Sequence, residues 1–169
     1  MTTIVGIDPG SRVTGYGVIT QADRQVSFIA SGVIRLESSN QGERLNVLFE
    51  SLSDLLKEYQ PNESAIEKVF VGKSADSALK LGQARGVALL ALQRAGLSVA
   101  EYAPRKIKQT VTGSGGADKT QINDMVVRSL RLSGRPSTDA ADALAIALCH
   151  AYSANFQRVL GRRERTVSV

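Results

Sequence analysis

Four carboxylates stand where they could work on one phosphate. Asp8 closes the run IVGID, Glu67 sits in AIEKVF, and Asp139 and Asp142 open DAADALAIALCH. Asp8 ends a run that otherwise reads as a buried strand, and an ionised carboxylate among apolar neighbours is costly unless something neutralises it. Asp142 poses the same problem more sharply, because it is the only charged residue from 140 to 149, in a segment apolar on all sides. Such a helix is expected to be buried. The i, i+3 spacing of Asp139 and Asp142 puts both on one side of it, where they can converge. Like charges gathered in this way repel, and a bound divalent cation is the usual means of holding them together. An all-oxygen ligand set suits Mg²⁺ or Mn²⁺ and not zinc, which prefers nitrogen and sulfur. Two such cations about 4 Å apart could activate a water and stabilise the departing oxygen of a phosphodiester. The chemistry expected is hydrolysis of nucleic acid.

Taken singly, each residue has a plainer reading. Asp8 before Pro9-Gly10 is a common turn starter, Glu67 beside Lys68 could be an exposed pair, and Asp139 could simply complement the positive end of its helix. Asp142, one turn further in, gains little from the helix terminus. Basic residues accompany the acids: segment 105 to 131 holds Arg105, Lys106, Lys108, Lys119, Arg128 and Arg131 against Asp118 and Asp124. Lys119 follows the glycine loop TGSGGAD at a helix start, where backbone amides and an ammonium could hold a phosphate, or it could lie on a solvated face. Phe70 is either a core strand residue or an aromatic at the rim of the site that stacks on an unpaired base. His150 and Cys149, adjacent on a helix, are expected to pack in the core.

The elements that must position these groups follow from periodicity. TIVGID, TGYGVIT and QVSFIASGVIRLE read as a three-stranded meander over residues 3 to 37. Leu45, Leu48, Leu52, Leu55 and Tyr59 recur at helical spacing until Pro61, and SAIEKVFV follows as a fourth strand. Ser74 caps a helix from about 75 to 95, GLSVAEYA gives a fifth strand, and a short basic helix runs from Pro104 to about Val111. Helices over 119 to 132 and 139 to 154 complete the core, and residues 156 to 169 read as a basic tail. A meander followed by right-handed crossovers leads to an α/β fold, a five-stranded mixed sheet with helices on both faces. The first and fourth strands then lie parallel at its centre, with Asp8 and Glu67 near their carboxyl ends, where ligands of such sheets bind.

The chain has 169 residues, 43% of them hydrophobic, which suffices for one compact domain, here residues 1 to 155. A formal net charge of +5 favours polyanionic partners. Its one cysteine cannot form an internal disulfide, and no segment has the pattern of a signal peptide or membrane span, so a cytoplasmic protein is expected.

The motifs GIDPGSRVTGYG, AIEKVF, SALKLGQARG and DAADALAIA together resemble the RuvC family of bacterial Holliday-junction resolvases, over about residues 3 to 152. The resemblance implies a ribonuclease H-like fold, a homodimer, and Mg²⁺-dependent symmetric nicking of two opposed strands at a four-way DNA junction. It implies that Asp8, Glu67, Asp139 and Asp142 are the metal-binding catalytic set and that Lys108 and Lys119 contact DNA near the scissile phosphate. Phe70 would meet bases near the crossover, and RuvA and RuvB would be partners. Independently, helix 75 to 95 is apolar over more than one face, and its Gly82 and Gly86 permit close approach in a dimer or within the sheet layer. Three other readings differ in class. The opening motif also looks like the phosphate-binding hairpin of the sugar kinase, actin and Hsp70 superfamily, but the second hairpin and adenosine-binding glycines of those ATPases do not occur here. A module that binds junctions without cutting would leave Asp142 unexplained. A nuclease of the same fold acting on RNA or other DNA structures stays open.

Overall fold

The computed structural model describes the chain except residues 24, 70–73, 168 and 169, with side chains up to residue 154. Its strands are β1 (Thr2–Asp8), β2 (Val13–Ala22), β3 (Gln25–Arg35), β4 (Glu63–Glu67) and β5 (Val99–Tyr102). Its helices are α1 (Gln41–Tyr59), α2 (Ala75–Arg94), α3 (Pro104–Thr112), α4 (Lys119–Leu130) and α5 (Thr138–Val167). The strands form one sheet in the order β3-β2-β1-β4-β5. The meander is antiparallel, and β4 joins β1 in parallel at the centre, as the crossovers require.

Two elements differ from the sequence reading. β4 ends at Glu67 and not at Val71, because both neighbours stop there: β1 turns at Pro9 and β5 ends just before Pro104. A last amide, that of Lys68, donates to the Tyr102 carbonyl at 2.8 Å. Helix α5 continues to Val167, well past the predicted end near residue 154.

Alternation along the strands divides the core into two layers. Val5, Ile7, Val18 and Ile66 face α1 and α2, whereas Ile4, Ile19 and Ala65 face α3, α4 and α5. The period of two then puts Gly6 and Asp8 of β1, Gly15 and Gly17 of β2, and Glu63 and Glu67 of β4 on the α5 side. The glycines have a steric reason. A Cβ on Gly17 would stand 2.7 Å from the Leu144 amide nitrogen; one on Gly6 would collide with the Ala143 carbonyl, and one on Gly15 with that of Asp139. Glycine in a strand interior often marks close backbone approach, and here α5 lies directly on the sheet.

Gly17→Ala is therefore expected to lift α5 and lose roughly 1–3 kcal/mol, the usual range for overpacking. Urea denaturation would show it, and unchanged stability would mean that the helix has room to shift.

Candidate active site

Asp8 and Glu67 end adjacent parallel strands whose register pairs Ile7 with Ile66, one residue earlier in each. Both therefore reach the sheet's carboxyl edge side by side and on one face. The Asp8 turn is tight: Thr14 Oγ1 lies 3.3 Å from both the amide and the carbonyl of Gly10, accepting from one and donating to the other. Opposite, the seat on Gly15 and Gly17 carries the first turns of α5 over the strand ends, which brings in Asp142.

Asp8, Glu67 and Asp142 line one cavity of about 270 Å³ with Pro104, Ile107, Lys108, Lys119, Ile122 and Ala145. Two larger clefts, of about 730 and 790 Å³, lie beside β3 and between α1 and α2. The smaller cavity is the candidate because it gathers carboxylates that titrate abnormally. Burial, then the charges of Asp142, Glu67 and Asp139, push the Asp8 carboxyl up to about 7, with Lys119 opposing them. Burial and then Asp142 raise Glu67, against Lys119 and Lys108. Burial likewise raises Asp142, although Lys119 pulls it back. The Lys119 ammonium lies 3.5 Å from Asp142 Oδ2, and the lysine side chain is 74% exposed, so an arriving phosphate can compete for it.

Asp139 does not line the cavity, though its charge reaches Asp8 and Asp142. Asp118 caps α4, accepting from the Gln121 amide at 2.8 Å, so Lys119 brings an ammonium and not the free row of amides that the glycine loop suggests. Cys149 is fully buried, as expected, whereas His150 is hydrogen-bonded to Tyr102 and Glu63. Phe70 lies outside the described residues. Gly82 and Gly86 are exposed on α2 with open space above them, so they do not serve packing against the sheet.

The donor set is all oxygen and suits a hard cation. Among the described residues no three such side chains stand at metal-holding spacing, yet three carboxylates share one cavity, and their mutual repulsion is what a cation would relieve. The residues present fit such an ion in kind, as three carboxylates lining one cavity.

Residues 4–150 match the family described as crossover junction endodeoxyribonuclease RuvC. The chain belongs to the RuvC family. A RuvC of Psychromonas ingrahamii is 54% identical over 91% of this chain and 89% of its own length, and one of Pseudoalteromonas atlantica is 51% identical over 99% and 97%. The structure of Thermus thermophilus RuvC in complex with Holliday junction substrate superposes with a TM-score of 0.86, at 32% identity, over 93% of this chain and 97% of that one. The RuvC fold is ribonuclease H-like, and the five-stranded mixed sheet agrees with it. Among the described residues, no helix is long and apolar enough to cross a membrane.

A carboxyl whose pKa is higher folded than unfolded favours the fold while neutral and opposes it once charged. The Asp8 contribution is thus full below about 4 and lost as pH rises through about 7. Asp8→Asn should raise the melting temperature of chelator-treated protein at pH 8 by on the order of 5 °C, and hardly at all at pH 4. Equal shifts at both values would deny the electrostatic origin.

Proposed function

We propose that this chain is a metal-dependent endonuclease that resolves four-way DNA junctions in recombination and repair, nicking two opposed strands symmetrically. One observation carries the reading: carboxylates from β1, β4 and α5 share a cavity with Lys108 and Lys119. The RuvC fold and the junction-bound relative support the substrate class.

In this reading Asp8, Glu67 and Asp142, with Asp139 beside them, hold Mg²⁺ or Mn²⁺, two ions per site. When bound, such ions lower the pKa of an attacking water and stabilise the departing oxygen. Lys119 leaves Asp142 to meet the scissile phosphate, where its charge counts for more as phosphate charge grows. Lys108 lines the same cavity and holds the same strand by charge, and Phe70 stacks on a base near the crossover. The apolar walls, Ile107, Ile122 and Ala145, limit water around the reacting groups.

A homodimer supplies two such sites. Leu79, Gly82, Gly86 and Leu90 fall on one face of α2, where Leu79 is 64% and Leu90 53% exposed. An isologous contact there would give the protein the two-fold symmetry that a junction has. RuvA and RuvB are the partners this assignment brings with it, in the cytoplasm.

Incubation of the protein with labelled four-way junction and linear duplex, with and without Mg²⁺, tests the reading. Junctions should be cut only with the metal, and duplex cut as fast as junction would overturn it. Asp8→Asn, Glu67→Gln, Asp139→Asn and Asp142→Asn should each bind junctions and lose roughly a hundredfold or more in single-turnover cleavage. Near wild-type cutting by the Asp142 variant would give that residue a structural role. In heterodimers of wild-type and Asp8→Asn subunits, one nick per junction is expected on a cruciform plasmid. Full resolution by those heterodimers would show that one site serves both strands.

A further inference from the structure

Glu63, His150 and Tyr102 form one hydrogen-bonded chain across three elements on the α5 side of the sheet. His150 Nε2 meets Glu63 Oε2 at 2.9 Å, and its Nδ1 meets the Tyr102 hydroxyl at 2.9 Å. The tyrosine and imidazole rings stand edge-on, with centroids 5.8 Å apart. The imidazole is 12% exposed and the Glu63 side chain 26%. One proton arrangement serves all three with a neutral ring: the Tyr102 hydroxyl donates to Nδ1, and Nε2–H donates to the carboxylate. Carboxylate, imidazole and hydroxyl in this order activate a nucleophile in some hydrolases, but Tyr102 does not line the carboxylate cavity.

The position of this hydrogen-bonded chain says what it holds. His150 follows Asp142 by eight residues on α5, about 12 Å at the helical rise. Glu63 precedes Glu67 by four residues on β4, about 13 Å at the strand rise. Helix and strand run in opposite directions, so the Glu63–His150 bond lies one such span below the Glu67–Asp142 pair. Tyr102 in turn is the register partner of Glu67 on β5. Over Gly6, Gly15 and Gly17 the backbone of α5 rests directly on β1 and β2, a seat that holds the helix to those strands rather than to β4. From β2, Gln21 Nε2 donates to the Ala151 carbonyl at 3.0 Å and anchors the same turn of α5 from the other side. Without the histidine link, α5 could pivot about that anchor away from β4.

We propose that Glu63, His150 and Tyr102 are positioning residues, a brace that fixes α5 against β4 and β5 and so sets the separation of Asp142 from Glu67. The proposal rests on the carboxylate site described above. Tyr102→Phe and His150→Gln are the variants to compare with wild type, well below their melting temperatures and at saturating junction. Single-turnover cleavage should fall about tenfold, since a misplacement of about 1 Å from a distant mutation can cost a hundredfold. Mn²⁺ affinity without DNA, read from the free-ion electron paramagnetic resonance signal, should weaken several-fold, while metal-free junction affinity stays unchanged. Glu63→Gln keeps an acceptor for Nε2–H and should retain rate and affinity, whereas Glu63→Ala should not. Leu52→Ala, in the core on the opposite face, controls for general loss of stability. Wild-type rate and Mn²⁺ affinity in Tyr102→Phe, or equal losses in Leu52→Ala, would overturn the brace. A wild-type protein that leaves junctions uncut would count against the proposed function instead, and the Mn²⁺ measurement would still decide the brace.

Discussion

At Gly6, Gly15 and Gly17 no strand side chain separates α5 from β1 and β2, and the geometry of the carboxylate cavity depends on that contact. Gly6 and Gly17 are cross-strand partners, and Gly15 is the partner of Asp8. Together they make a bare strip on an otherwise branched sheet, into which the backbone of α5 settles at Asp139, Ala143 and Leu144. Any Cβ on the strip would hold the helix off by part of its own width. The first turn of α5 would then stand back from the strand ends, and Asp142 would leave the cavity that Asp8 and Glu67 share.

The close seat also excludes water from carboxylates that water would otherwise stabilise. Burial is the largest cause of the raised Asp8, Glu67 and Asp142 values, and repulsion among the acids adds to it. Lys119 offsets part of this from an exposed position, so its help is screened by solvent. The fold thus holds its site at a cost in stability that a cation and a phosphate would reduce, the usual trade between activity and stability.

Much of this was legible in the sequence, because local patterns encode it. The β-branched meander, the leucine spacing of α1, the Ser74 cap and the parallel pairing of β1 with β4 all follow from periods and turn residues. Asp142 stood out because a lone acid in an apolar helix breaks the pattern around it. What escaped depends on contacts between distant segments. Gly6, Gly15 and Gly17 read locally as weak strand residues, and their use appears only when a helix from residue 138 onward lies on them. His150 read as core packing because Glu63 and Tyr102 lie 87 and 48 residues away. Asp118, which in the sequence counts only as an acid among the basic residues of 105 to 131, caps α4 in the structure.

The placement of α5 also governs the order in which the molecule can be completed. It is the last of the described helices, yet Leu144, Ile146, Leu148 and Ala151 sit at the middle of the core that covers one face of the sheet. While the ribosome is still adding residues before 138, all five strands and four helices have been made, but that face still lacks its central cover. A nascent chain therefore carries Asp8 and Glu67 without Asp139 or Asp142. The cavity that Asp8 and Glu67 share with Asp142 is therefore completed only when α5 has been made.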